Sequence, residues 1–312
     1  MMQLSQYTFR ELRDIFHRAT GNLLPEDKSY LVQSRLAPLA EELGLKSLEE
    51  LALRLRKASR HDPVLIKVVD RLTTHETSFF RDNIPFQKLT SQILPEVLTR
   101  VGADKTIRIW SAACSTGQEV YSLSITVSEF LRTRRDYSFE IVATDISPAS
   151  VDIAKRGIYT DFEVKRGLSP EIRDRYFERA TGDAWRVRDN LRNQITFRVD
   201  NLMQPSLQRN YFDIIFCRNV LIYFEREAKT KILENLANFY RDPAGFLVLG
   251  AAESTIGITD RFNRPSDGSF GVFVLAPRDP LAAMKRPIEV PKVPKIDFPN
   301  AASRPQTSGR RF

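Results

Sequence analysis

Thr106-Ile107-Arg108-Ile109-Trp110-Ser111-Ala112-Ala113-Cys114-Ser115-Thr116-Gly117-Gln118-Glu119 is the stretch that decides the architecture. Thr106 to Ala113 reads as a buried strand, and Gly117 to Leu131 has helical spacing. The turn between them is built from small residues, which let a ligand approach the backbone closely. Downstream the pattern repeats. Phe139 to Thr144 is strand-like and Ser147 to Arg156 helical. Ile195 to Val199, Tyr211 to Cys217 and Gly245 to Leu249 are further strands, a helix runs from Glu225 to Tyr240, and Phe270 to Ala276 closes the series. Strands alternating with helices predict an α/β fold, a doubly wound, mostly parallel sheet with helices on both faces. Ligands of such sheets bind at the carboxyl ends of the strands.

Residues 157–194 interrupt the alternation. A helix start at Ser169-Pro170-Glu171 and short segments around Trp185 predict a small inserted subdomain. Upstream, residues 1–72 show no strand pattern. Thr8 with Glu11 reads as a capping box opening a helix to Ala19. A second helix is expected from Pro25–Asp27 to Leu43, stopped by Gly44. Ser47 with Glu50 opens a third, and Asp62-Pro63 a fourth that runs through Val69. The expected division is therefore a helical domain at 1–74, a ligand-binding domain at 75–276 and a tail at 277–312.

Composition narrows the function classes. The chain has 312 residues and a net charge of +8, but 277–312 alone carries eight Lys/Arg against three Asp/Glu and holds seven of the 17 prolines. The tail thus reads as disordered. The remainder is only mildly basic, which speaks against a nucleic-acid surface. No run is long enough to span a membrane, and Met1 to Arg10 is too polar for a secretory signal. Two cysteines, Cys114 and Cys217, make no disulfide framework and no zinc pattern. A reducing cytoplasm is the expected location, and no metal is expected.

The turn has one glycine, Gly117, where a dinucleotide fingerprint has three, so little is offered to a pyrophosphate. Asp145, ending the second strand, can accept from ribose hydroxyls or serve as a turn cap. A ligand with ribose and adenine but no phosphate fits, and S-adenosylmethionine is such a ligand. Glu119 is the candidate for its ammonium and Arg81 for its carboxylate or the methyl-transfer region. An ordinary acid in the first turn of a helix is the plainer reading of Glu119.

Four blocks carry a family resemblance: Leu72-Thr73-Thr74-His75-Glu76-Thr77-Ser78-Phe79-Phe80-Arg81-Asp82, Ser115-Thr116-Gly117-Gln118-Glu119-Val120-Tyr121-Ser122, Ala143-Thr144-Asp145-Ile146 and Phe216-Cys217-Arg218-Asn219-Val220-Leu221-Ile222-Tyr223-Phe224. In order and spacing the chain resembles the CheR-type chemoreceptor glutamate methyltransferases over residues 5–276. The resemblance implies a Rossmann-like class I methyltransferase sheet with an N-terminal helical domain and a small inserted β-subdomain. It implies transfer of the methyl group of S-adenosylmethionine to glutamate carboxylates of chemoreceptors, leaving S-adenosylhomocysteine. By motif position it assigns the cofactor to Thr77, Arg81, Glu119, Asp145, Asn201, Leu202, Cys217, Arg218 and His75, and the methyl-transfer region to Arg81 and Tyr223. Cys217 and Arg218 are expected to act partly through their backbone. On its own, Cys217 reads as a small buried hydrophobe.

Two departures matter. His75 and Gln118 stand where the family often has Asn and Glu. The stretch between Thr181-Gly182 and Trp185 is about three residues shorter than in members that dock on a receptor C-terminal pentapeptide, so independence from that tether is expected. Arg54, Arg56, Lys57 and Arg60 read either as a solvated helix face or as a docking patch for the acidic helical bundle of a receptor. Two rivals remain at this point. A nucleic-acid methyltransferase is disfavoured because Arg218-Asn219-Val220-Leu221 stands where its Pro-Pro-aromatic loop would be. A non-catalytic cofactor-binding scaffold is the other.

Overall fold

The structure, a computed structural model, describes residues 2–265 and 271–276. The expected tail at 277–312 lies outside the described residues. Four helices come first: α1 (Gln6–Thr20), α2 (Ser29–Glu42), α3 (Leu48–Leu55) and α4 (Pro63–Leu72). They close around a core of their own, with Leu12, Val32, Leu36, Leu39, Leu48, Leu51 and Val68 fully buried. The cap of α1 differs from expectation. Ser5, three residues ahead of Thr8, is the N-cap, and its hydroxyl accepts from Thr8 N at 3.1 Å. The Thr8 hydroxyl instead donates to Glu49 at 2.9 Å and ties α1 to α3. Ser47 does cap α3, but Glu50 accepts from Lys46 N, so the box closes one residue early. Asp62 caps α4 through Val64 N, and that helix continues to Leu72.

A bridge of short helical turns follows: α5 (Ile84–Lys88), a π-turn (Leu89–Ile93) and α6 (Leu94–Leu98). Then come β1 (Thr106–Ala112), α7 (Gln118–Leu131), β2 (Ser138–Asp145), α8 (Pro148–Arg156), β3 (Ile158–Thr160), α9 (Asp161–Lys165), α10 (Pro170–Tyr176), β4 (Phe177–Arg179), β5 (Ala184–Val187), α11 (Asp189–Arg192) and β6 (Ile195–Val199). The described residues finish with β7 (Ile214–Cys217), α12 (Arg226–Leu236), β8 (Phe246–Leu249), β9 (Phe262–Asn263) and β10 (Val272–Leu275).

Seven strands form one sheet in the order β6-β2-β1-β7-β8-β10-β9. The first five are mutually parallel, and β10 runs antiparallel to both β8 and β9. Buried apolar clusters lie on both faces, as a parallel sheet requires. Strand order reverses between β1 and β7, so a crevice opens beyond their carboxyl ends. A second sheet, β3-β5-β4, is antiparallel and occupies the stretch between α8 and β6. The expected strand from Tyr211 begins only at Ile214, because Phe212 pairs as a single bridge with Tyr240. That bridge also stops α12 at Leu236 rather than Tyr240, since Phe239 O is needed by Tyr211 N and Phe212 N.

Candidate functional site

The crevice is an open cleft at the carboxyl ends of the central strands, where the helical domain meets the sheet. Of the ten residues expected there, nine line it: His75, Thr77, Arg81, Glu119, Asp145, Asn201, Leu202, Arg218 and Tyr223. Cys217 does not. It ends β7 with its thiol fully buried among Trp110, Leu221 and Leu249, and burial pushes that thiol well up from its usual range.

The floor is the turn after β1. Ala113 and Ser115 both sit at positive φ, 62° and 50°, although neither is glycine. Such backbone costs on the order of 1–3 kcal/mol per residue and persists where the surroundings over-determine it. Here Cys114 N donates to Thr144 O at 2.9 Å, Ser115 N to Asp145 Oδ2 at 2.8 Å and Ser115 Oγ to His75 O at 2.7 Å. Gly117 caps α7 at φ 98°, and a Cβ there would meet Ala154 and the Tyr159 hydroxyl at 2.8 Å. The turn therefore works with one glycine.

Two carboxylates, Asp145 buried and Glu119 largely so, flank this floor. Glu119, in the first turn of α7, accepts from Ser111 Oγ at 2.9 Å and from Arg218 Nη1 at 3.0 Å. Burial raises its pKa above the ordinary 4.5, against the pull of Arg218 and Ser111. Asp145, at the end of β2, accepts from Ser115 N and from Ser147 N at 2.9 Å. Burial raises it above 3.8, and those two amides pull it back. Both acids thus line the cleft where polar or cationic groups of a bound molecule would meet them.

Arg218 is itself a fixed part of the wall. Its Nη2 donates to Arg81 O at 3.0 Å and to Asp82 at 2.8 Å, so β7 anchors the segment that carries Arg81. The Arg81 guanidinium donates to Glu76 O at 3.0 Å. His75 proves to be a strut. Its Nε2 meets Thr73 Oγ1 and Asp70 O, and its Nδ1 meets Ser150 Oγ at 3.0 Å, joining the end of α4 to α8. Gln118, the other departure, donates to Glu163 at 3.1 Å and links α7 to α9 of the inserted subdomain. Asn201 donates to Ala19 O at 3.0 Å across the domain boundary and accepts from Met203 N.

Some lining residues escaped the sequence reading. Thr20 and Asn22 come from the end of α1, and Asn22 reaches the cleft because it bridges to Phe224 while Leu23 N donates to Tyr223 O at 2.7 Å. Asn22 Oδ1 is buried without a partner, a polar atom free to meet a bound group. Nothing in the α1 sequence announces that contact, since it is made by chain segments two hundred residues apart.

This fold and cleft define a class: S-adenosylmethionine-dependent methyltransferases. Buried carboxylates at the ends of β2 and at the start of α7, with a small-residue floor and no phosphate cradle, suit ribose and ammonium groups. The chain belongs to the CheR methyltransferase family. Residues 75–267 match the family's S-adenosylmethionine-binding domain and residues 8–73 its all-alpha domain. It is 42% identical over 261 residues to the "Chemotaxis protein methyltransferase" of Vibrio parahaemolyticus, covering 83% of this chain and 93% of that protein. It is 40% identical over 264 residues to "Chemotaxis protein methyltransferase Cher2" of Pseudomonas putida, covering 84% and 95%. A Borreliella burgdorferi "Chemotaxis protein methyltransferase" is 32% identical over 247 residues, covering 78% and 86%.

Proposed function

We propose that the chain esterifies glutamate side chains of chemoreceptors, a methylation that tunes chemotactic signalling. The observation that supports this most is the sharing of one cleft by two buried acids suited to the cofactor, Glu119 and Asp145, and by Arg81 and Tyr223 at its helical-domain side. When bound, S-adenosylmethionine supplies a methyl group activated by a positively charged sulfur. The acceptor carboxylate is already ionised at neutral pH and needs no general base. Positioning then dominates, and it can supply roughly 7–11 kcal/mol.

In this reading Glu119 meets the cofactor ammonium, Asp145 the ribose, and Asn201 with Leu202 the adenine side. Thr77 and the backbone at Cys217 and Arg218 complete the pocket, and His75 contributes through its carbonyl. Arg81 orients the incoming carboxylate by a charge-assisted hydrogen bond. Tyr223 bounds the space for the methyl group. The basic stretch from Arg54 to Arg60 guides an acidic helical bundle toward the cleft, with Arg54 held by Asp62 and Arg56 by Glu11. The β4–β5 link is short, closed by Ala180 N donating to Ala184 O at 2.9 Å, which suits recognition without a pentapeptide tether. The setting is cytoplasmic, where receptor signalling bundles reside.

A labelled-methyl assay on receptor-containing membranes tests the reading. Label released as volatile methanol in mild base identifies an ester, and Arg81→Ala should lower that release about a hundredfold or more while the protein stays folded. Base-stable label, or full turnover by the Arg81 variant, rejects the assignment.

A further inference from the structure

Behind the cleft, in the loop after β8, a single buried side chain holds the loop after β7. Glu253 is only 8% exposed. Its Oε1 accepts from Val220 N at 2.8 Å, Leu221 N at 2.7 Å and Ile222 N at 3.4 Å. Its Oε2 accepts from Asn219 N and Gly250 N, both at 2.7 Å. Five backbone amides thus converge on one carboxylate, four of them from consecutive residues. A short single-turn helix (Leu221–Tyr223) starts there with no side-chain cap of its own, and Asn219 is held at φ 58°. Without the carboxylate, these consecutive amides would lose their shared acceptor. Gly250 makes room for this arrangement. A Cβ on it would meet Glu253 Oε2 and Asn219 Nδ2, each at 2.8 Å.

The loop so held carries Arg218, Asn219, Val220 and Tyr223 to the cleft wall. We propose that Glu253 is a positioning residue for methyl transfer: its carboxylate, used as an anion clasped by five amides, sets where the Asn219–Tyr223 loop stands and therefore where the Tyr223 ring bounds the methyl-acceptor space. It touches neither cofactor nor acceptor. Its effect travels through backbone bonds, so it falls on the geometry of transfer more than on cofactor binding, which draws chiefly on Glu119, Asp145 and the β1 turn. This rests on the proposed placement of Tyr223 at the methyl-transfer region.

The test uses the full chain with Glu253→Gln, which keeps the shape but replaces one acceptor by an NH2 group facing amide donors. Expected are a fall in kcat of at least about tenfold at saturating S-adenosylmethionine and a change of less than about threefold in S-adenosylhomocysteine affinity. Hydrogen exchange should accelerate at Asn219–Ile222 and stay unchanged in β1 and β2. Gly250→Ala, which keeps the charge but pushes on the same carboxylate, should give the same kcat-selective loss, and it decides the matter if the Gln variant does not fold. Wild-type kcat per cofactor-binding site in a folded variant whose loop exchange is unchanged overturns the proposal, as does parallel loss of affinity and kcat. If exchange accelerates in the loop while kcat holds, the clasp is real and the placement of Tyr223 is what fails.

Discussion

Arg218 Nη1 lies 3.0 Å from Glu119 Oε2, joining the end of β7 to the first turn of α7 across the strand-order reversal. The two side chains are 1% and 13% exposed. Arg218 also holds Asp82 and the Arg81 carbonyl, so this pair sits at the junction of three segments that build the cleft. Removing one partner of a buried ion pair costs about 3–5 kcal/mol, because the other charge is left without compensation. Arg218→Met should therefore destabilise the protein by about that amount in urea unfolding. Adding Glu119→Gln to that variant should restore part of the loss. Strict additivity of the two substitutions contradicts the coupling.

Asp145 has two tasks, because the oxygens proposed to face ribose also anchor Ser115 N and Ser147 N. Asn at this position can accept on one side only. Hydrogen bonds to a charged group are worth about 1.5–3 kcal/mol each. Asp145→Asn should weaken S-adenosylhomocysteine binding about 10- to 150-fold in a calorimetric titration and lower the melting temperature as well. Unchanged affinity with a lowered melting temperature would confine Asp145 to the turn.

His75 should behave oppositely. Both ring nitrogens are spent within the protein, on Asp70, Thr73 and Ser150, and only its carbonyl faces the turn through Ser115. His75→Ala should cost about 1–3 kcal/mol of stability and alter cofactor affinity less than about threefold. A larger loss of affinity than of stability would show the imidazole contacting the ligand.

These contrasts mark what a sequence discloses. The Thr106–Glu119 stretch was legible because periodicity changes from strand to helix across it, and the change itself locates the cleft. Glu119 and Asp145 were legible as cleft-lining residues because one opens the helix that follows the first strand and the other ends the second strand. Cys217 was legible as an apolar filler, and its thiol does lie in the core, although the family resemblance assigns it to the cofactor. Ser5 was overlooked as a cap because Thr8 and Glu11 satisfy the same local rule, and only the packing of α1 on α3 sends the Thr8 hydroxyl to Glu49. His75, Asn22 and Glu253 were illegible for a deeper reason. A lone polar residue does not reveal its distant partners: Ser150 lies 75 residues from His75, Asn219 to Ile222 lie 34 to 31 residues from Glu253, and Phe224 lies 202 residues from Asn22.

The raised carboxylates give the site a pH signature. In the ligand-free protein burial lifts Glu119 above 4.5 and Asp145 above 3.8, so each binds protons more readily folded than unfolded. Their contribution to stability is thus fully present below the unfolded values and lost as pH rises through the folded ones. On the proposed placement of the cofactor ammonium, ligand binding reverses the preference at Glu119. An ammonium beside it favours the ionised form, so binding must expel any proton Glu119 holds. Affinity for S-adenosylhomocysteine should accordingly hold near neutral pH and weaken as pH falls through the raised value of Glu119. Titrations in two buffers of different ionisation enthalpy should show proton release on that acid limb. Glu119→Gln should weaken binding at neutral pH and flatten the limb, leaving only the smaller dependence due to Asp145. An acid limb of unchanged slope in that variant would move the ammonium to another partner in the cleft.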